Sequence, residues 1–278
     1  MDRRTFVGAL GAAGAASLLP AGGPLMAQER LDKIGVQLYT VRDLMKASVE
    51  KTLADVAAIG YQEVEFAGYF ERPPRSIKQL LDRNGLQAPS AHIGIDLLRG
   101  PWNRTLEDSA EMGHKYLVVA WLDAKDRNSL DALKKTANLF NRAADDAKRY
   151  KIKLAYHNHD FEFTQVEGRR MYDVLLEETD PKLVQMEMDL YWIIKGGGVP
   201  EQYFARWPER FPMVHVKDGG PAPEYAMTEV GKGVIKWGEI FARRKQAGIK
   251  HFFVEHDNPK NPLQSIATSY RYLRDLRF

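Results

Sequence analysis

The chain has 278 residues, with 40 Lys and Arg against 37 Asp and Glu, and it contains no cysteine. A formal charge of +3 with 44% hydrophobic residues is a globular balance. It excludes a disordered chain and argues against a nucleic-acid binder held by bulk positive charge. Without cysteine there is no disulfide framework, no thiolate metal site and no cysteine nucleophile.

The chain opens on Asp2-Arg3-Arg4-Thr5-Phe6-Val7, followed by a Gly-, Ala- and Leu-rich run to about Leu19. That run is too short for a membrane span, which needs roughly 20 apolar residues. The charged start, apolar middle and Pro24-Leu25-Met26-Ala27 close predict an export signal over residues 1–27. The paired arginines resemble a twin-arginine signal, which implies a periplasmic or otherwise exported protein with no stable membrane anchor after cleavage. A buried N-terminal helix is the alternative, and the Gly and Ala content speaks against it. Removing 27 residues from 278 leaves 251.

From there apolar runs alternate with amphipathic stretches. Ile34–Tyr39 reads as a strand, and residues 42–59 place Leu44, Val49, Leu53, Val56 and Ala57 at helical spacing before Gly60. Strand Tyr61–Phe66 follows, then a helix over about 75–83 that ends at Asn84-Gly85. Leu86–Ile93 and Tyr116–Trp121 read as strands, with a short helical stretch from Thr105 to Met112 between them. Residues 128–149 carry the longest helical pattern. The second half repeats the scheme, with strands at Lys153–His157, Leu183–Asp189, Met213–Val216 and His251–Glu255. Its helices fall at about 170–178, about 200–207, Trp237–Gln246 and Pro262–Leu273.

Eight strand–helix units in about 250 residues predict a single (β/α)8 TIM barrel, of class α/β, over residues 28–278. A doubly wound sheet would announce itself by a Gly-rich turn after the first strand, and Gln37-Leu38-Tyr39-Thr40 has none.

Catalytic groups of such a barrel sit where strands end, and these strand ends are polar. They carry Glu63, Glu65, His92, His157, His159, Glu187, Asp189, His215, Lys217, Glu255 and His256. Residues two apart on a strand share a face, so His157 pairs with His159, Glu187 with Asp189 and His215 with Lys217. A His, Asp, His and Glu set from strands five to eight (His157, Asp189, His215, Glu255) suits one divalent cation. Taken singly, each His also has a structural reading as a hydrogen-bonded residue, and Glu187 one as a salt-bridged group inside the barrel.

These residues carry a resemblance. Gly60-Tyr61-Gln62-Glu63-Val64-Glu65, Ala155-Tyr156-His157-Asn158-His159, Met188-Asp189-Leu190-Tyr191-Trp192, Val214-His215-Val216-Lys217-Asp218 and Val254-Glu255-His256 resemble, in order and spacing, the xylose isomerase-like TIM-barrel family. That family contains sugar isomerases and epimerases, inosose dehydratase and endonuclease IV. Gly231-Lys232-Gly233 with Trp237 resembles its Gly-x-Gly loop.

The resemblance implies a metal held in the epimerases by Glu, Asp, His and Glu. Asp189, His215 and Glu255 match the last three, whereas His157 stands where the epimerases have Glu. A symmetrical two-glutamate epimerisation is therefore not expected. Proton abstraction beside the carbonyl of a keto-sugar through an enediolate is expected, with Mn²⁺ the first choice of metal and Mg²⁺, Co²⁺ or Zn²⁺ the alternatives. Glu255 is the implied base, with His157 or His159 as partner acid. Lys217, Glu65, His92 and Glu187 are implied to orient or polarise substrate, and Trp121, Trp192 and Tyr39 to offer apolar faces to the ring.

Isomerase or epimerase action is the first expectation. Elimination or hydration of a keto-sugar or keto-glycoside by a lyase or dehydratase is the second, and a non-catalytic periplasmic sugar-binding barrel is the third. A nuclease reading lacks a basic surface. The expected partner is a neutral sugar or glycoside rather than a sugar phosphate or nucleic acid, and an oligomer is left open.

Overall fold

The computed structural model describes residues 29–278, so the export segment read in residues 1–27 lies outside the described residues. Eight parallel strands close into a barrel: β1 (Gly35–Gln37), β2 (Glu63–Phe66), β3 (Gln87–Ile93), β4 (Tyr116–Val119), β5 (Lys153–His157), β6 (Val184–Asp189), β7 (Met213–Val216) and β8 (His251–Val254). Each strand pairs with its sequence neighbours, and β8 returns to β1 through Gly35↔Phe253 and Val36↔Val254. The predicted barrel is the observed fold.

The departures are local. Residues 42–59 are two helices, Arg42–Ala47 and Val49–Ile59, divided at Ser48. Ser48 takes extended backbone, and its Oγ accepts the Lys51 N–H at 3.2 Å, so its capping preference interrupts the apolar periodicity. The stretch read as one helix from Trp237 to Gln246 is likewise two short ones, Trp237–Phe241 and Arg244–Ala247. Strand β4 stops at Val119, which leaves Trp121 in the loop beyond it. A short helix at Asp96–Arg99 and small antiparallel pairs at 165–170 and 218–228 carry too few residues to show a period.

Helices pack their apolar faces on the outside of the barrel, where Leu53, Leu81, Phe140, Phe204 and Leu273 belong to one continuous core. Inside, a small separate core of Tyr116, Val118, Ala155, Met213 and Phe253 plugs the barrel. Gly35 belongs to this plug, because a Cβ there would meet the Phe253 ring at 2.6 Å. At the strand starts Glu63 faces His251 at 2.8 Å, so of the two glutamates read at the end of β2 only Glu65 reaches the opposite mouth. Above the plug, at the strand ends, the interior turns polar.

Candidate functional site

Register places the polar groups side by side. Gln37 pairs with Glu65, His157 with Glu187, and Asp189 with His215. Alternation then turns Glu187 and Asp189, and His215 and Lys217, to the interior in pairs, as the two-residue spacing predicts. Glu65, Glu187, Asp189 and His215 are completely buried.

Charges at zero exposure persist only when paired and hydrogen-bonded, and here the pairing is dense. Glu65 Oε1 accepts from Gln37 Nε2 at 2.8 Å and faces His215 Nε2 at 2.7 Å and His92 Nε2 at 3.0 Å. Glu187 Oε2 is ringed by His92 Nε2 at 2.7 Å, His157 Nδ1 at 3.1 Å and His215 Nε2 at 3.2 Å. His215 Nδ1 meets Glu255 Oε2 at 2.7 Å. Lys217 Nζ lies 2.7 Å from Glu255, 2.9 Å from Asp257 and 3.1 Å from Asp189.

These contacts assign protons. Both nitrogens of His215 face carboxylates, so both must donate, which makes it an imidazolium. Burial opposes that charge, but Glu187 and Glu255 raise its pKa well above the ordinary value. His92 follows the same logic: Glu65 and Glu187 outweigh its burial and lift it to about 9. The same contacts hold Glu187 and Glu255 below the usual carboxylate range despite their burial. Lys217 stays protonated, because Asp189, Glu255 and Asp257 overcome its desolvation.

Both histidines of the His157-Asn158-His159 segment shift the other way from His92 and His215. Burial, then the neighbouring cations His215 and His92, push His157 well below its ordinary value. Its Nδ1–H donates to Glu187, which leaves the Nε2 lone pair free, 3.7 Å from Asp189 Oδ2. Burial, followed by Lys217, lowers His159 to about 3. Desolvation favours the neutral form of both, which argues against either as the acid expected near neutral pH. Protonated groups in reach are Lys217, His92 and His215.

Asp189 has a divided role. Its Oδ1 accepts the Tyr191 and Trp192 N–H groups at 3.0 and 2.9 Å and caps the helix Leu190–Lys195. Asn158 Oδ1 accepts the Asp189 N–H at 3.0 Å. Asp189 Oδ2 is buried and takes no hydrogen bond, although Lys217 is within ion-pair distance. Burial pushes this carboxyl up to about 6, against the pull of Lys217.

Among the described residues eleven buried side-chain polar atoms lack a partner, and five surround this site: Glu65 Oε2, His159 Nδ1, Glu187 Oε1, Asp189 Oδ2 and Trp192 Nε1. Such clustering suits a bound ligand. Two groups have the composition and spacing to hold a divalent cation, with ligand atoms all within 4.8 Å: Asp189, His215 and Glu255, and His92, His157, Glu187 and His215. The sequence-derived ligands thus divide, with His215 common to both groups and His157 falling in the second. A nitrogen and carboxylate donor set with an open Asp189 oxygen and a free His157 lone pair fits a divalent metal.

A cavity of about 940 Å³ opens above these groups and is lined by His92, His157, His159, Lys217, Glu255 and Asp257. Trp121 stands 48% exposed at its mouth, edge-on to the His159 ring at 5.0 Å between centroids. Of the other strand-end residues, His256 donates its N–H to Thr40 and holds the following turn through Asn258. Sequence reasoning missed Asp257, Asn158, Gln37 and Glu162. The two-residue spacing from Glu255 to Asp257 was the available signal for the first. Glu162 accepts the His159 N–H at 2.8 Å and the Tyr156 hydroxyl, a contact that only the folded loop creates.

Asp218 organises the next loop. It accepts the Gly231 N–H at 2.9 Å, the Trp237 Nε1–H at 3.0 Å and the Gly219 and Ile235 N–H groups. Gly233 must lack a side chain, since a Cβ would lie 2.0 Å from Asp218 Oδ1. The Gly-x-Gly and Trp237 motif is therefore a wrap around one carboxylate.

The chain is similar to known proteins to different degrees. Inosose dehydratase of Geobacillus kaustophilus is 28% identical over 194 residues, which is 61% of this chain and 61% of that protein. The chain thus matches about three-fifths of that relative's length. A crystal structure of a sugar phosphate isomerase/epimerase from Parabacteroides distasonis superposes with a TM-score of 0.78 at 27% identity, covering 88% of this chain and 98% of that one. The IolI protein with a bound zinc atom superposes with a TM-score of 0.70 at 14% identity, covering 86% of this chain and 95% of that one, a likeness of fold. Residues 53–276 match the xylose isomerase-like TIM barrel family, and the chain belongs to that family.

Proposed function

We propose that the protein is a metal-dependent lyase that removes the proton beside the carbonyl of a neutral cyclic keto-sugar and expels the β-substituent. The observation that carries this reading is the unlike pair at the cavity. Where a symmetrical epimerase needs two matched carboxylate bases, this site sets neutral histidines against a protonated lysine. Epimerisation moves a proton between two like groups, whereas elimination needs one base and one acid. The inosose dehydratase relative supports the same choice by its name.

In this reading His157 (through Nε2), Asp189, Glu255 and His215, the last after giving up one of its two ring protons, would hold the cation. When bound, it supplies Lewis-acid stabilisation of the negative charge that develops on the carbonyl oxygen. His159, neutral and with Nδ1 unpartnered, takes the proton from the carbon next to the carbonyl, a role that the sequence assigned to Glu255. Glu255 binds His215 and Lys217 through one oxygen and is assigned to the cation rather than to the proton. The C–H electron pair becomes the new C=C bond as the β C–O bond breaks, and Lys217 delivers its proton to the departing oxygen. Sharing Asp189 and Glu255 with a cation weakens their hold on the ammonium and makes that delivery easier.

Glu65, Glu187 and His92 fix the orientation of His215 and of the substrate hydroxyls. Lys217 is the one Lys or Arg lining the cavity among the described residues, which favours a neutral sugar over a phosphorylated one. The segment 1–27 exports the protein by the twin-arginine route in this account. Cell fractionation of an Arg3→Lys, Arg4→Lys double variant tests it, and periplasmic accumulation equal to wild type would refute it.

The chemistry is tested with metal-loaded protein and a keto-inositol or keto-glycoside. Lys217→Met should abolish release of the β-substituent while deuterium exchange at the adjacent carbon survives, and His159→Ala should abolish both. Isomerase or epimerase action is the second reading, favoured by the name of the Parabacteroides distasonis protein. Deuterium uptake with the substituent fully retained would establish it instead.

A further inference from the structure

The cavity is larger than the chemistry at its base requires. At about 940 Å³ it reaches the upper end of the roughly 300–1,000 Å³ that small-molecule sites span, yet the inner-site groups His92, His157, His159, Lys217, Glu255 and Asp257 line only part of it. The remaining wall is mostly apolar, with Tyr39, Tyr69, Ile93, Leu97 and Trp121 beside Thr105, Asp108 and Ser109. Four large hydrophobic residues stand well exposed among the described residues, and two of them, Tyr39 at 42% and Trp121 at 48%, line this one chamber.

Both rings are held in place. Trp121 packs edge-on against His159 and, at 4.9 Å, against Phe161, and the Arg127 guanidinium lies 4.0 Å over the Phe161 ring. Tyr39 lies under the Arg42 guanidinium at 4.2 Å, and Arg42 is tied to the Asp257 carbonyl at 2.8 Å and to Asn258 Oδ1 at 2.9 Å. They follow β1 and β4, three strands apart around the barrel, so they flank the mouth from different sides. Gly68 and Gly94 also line the chamber, and a Cβ at either would meet nothing within 4 Å. Rigid aromatic faces exposed to solvent beside open space make a binding surface that adds affinity without ordering any side chain.

We propose that the outer chamber is a subsite for an apolar, aromatic aglycone, so that the substrate is a keto-sugar linked through oxygen to an aryl group rather than a free keto-sugar or a keto-inositol. This rests on the lyase reading of the inner site. It gives the β-substituent an identity: the aglycone sits between Tyr39 and Trp121 while the sugar ring lies over Lys217, Glu255 and His159.

The test uses two ligands that share one keto-glucoside ring, one with a phenyl and one with a methyl aglycone. Their binding to metal-loaded protein is measured by calorimetry alongside turnover. Wild type should bind the phenyl compound at least tenfold more tightly. Trp121→Ala should cut that ratio to within about threefold of unity. Gly94→Val narrows the chamber without touching the inner groups and should weaken the phenyl compound tenfold while leaving the methyl compound within twofold. Unchanged thermal unfolding confirms that both variants are folded. Equal affinity of wild type for the two ligands, with turnover of both, overturns the subsite and leaves the lyase reading intact. Absence of binding and turnover with either ligand, while a keto-inositol is dehydrated, also overturns it. Failure with all three overturns the lyase reading itself.

Discussion

Asp189 shows how one side chain serves both fold and chemistry. One oxygen caps the helix Leu190–Lys195 and the other is left open beside His157 and Lys217. Asp189→Asn keeps a capping oxygen but loses the charge, so it should fold normally, lose bound metal by elemental analysis and lose at least 100-fold in activity. Asp189→Ala should lose the cap as well and unfold about 1 kcal/mol more easily. Full metal content in Asp189→Asn would remove this residue from the ligand set.

Glu162 makes a prediction in pH. Its carboxyl is buried among Tyr156 and the His159 backbone, and burial, opposed by those hydrogen bonds, pushes it from 4.5 to about 7. Between these values the folded state holds a proton that the unfolded state has released, so stability is fully present below pH 4.5 and falls as pH rises to 7. At 1.36 kcal/mol per unit the loss is on the order of 3 kcal/mol. Denaturant midpoints of Glu162→Gln should lack that slope, and an identical slope in variant and wild type would contradict the assignment. Asp189, His215, Lys217 and Glu255 were legible at this scale because each stands at a strand end in a family pattern. Glu162 was not, because nothing in Phe161-Glu162-Phe163 says that its carboxylate turns inward to the chain just before it.

At the scale of elements, strands were the most legible because alternation and length are written into short runs. Helix ends were less so, as the break at Ser48 shows. The Gly231–Trp237 stretch was visible as a motif, but its hub was hidden. Asp218 bonds groups 13 to 19 residues downstream, and that convergence exists only once the loop closes. Gly233→Ala should force the loop off Asp218 and cost on the order of 2 kcal/mol, read as a fall in Tm of several degrees. A Tm within one degree of wild type would show that the loop yields freely. Because Asp218 adjoins Lys217, the same variant should also lower kcat.

For the whole molecule, the eightfold alternation of strands and helices already implied a closed barrel, and the strand order bears that out. What length and pattern could not disclose was the size and apolar lining of the mouth, which depend on loops of different lengths meeting in space. Crowding Glu65, Glu187, Asp189, Glu255 and Asp257 around His215 and Lys217 also makes the barrel's stability depend on what binds there. At a free metal concentration 100 times Kd, the folded state gains about 2.7 kcal/mol. Thermal unfolding should therefore rise by several degrees with Mn²⁺ and return with a chelator, and a Tm indifferent to both would contradict a resident cation.

The central claim is that this site eliminates rather than epimerises. The most direct measurement is proton NMR of the products formed in D₂O by metal-loaded protein from a cyclic keto-sugar bearing a β-oxygen substituent. The account predicts an unsaturated ketone and one equivalent of released substituent, both abolished in Lys217→Met. Recovery of a saturated sugar with deuterium at the adjacent carbon and the substituent still attached would contradict it.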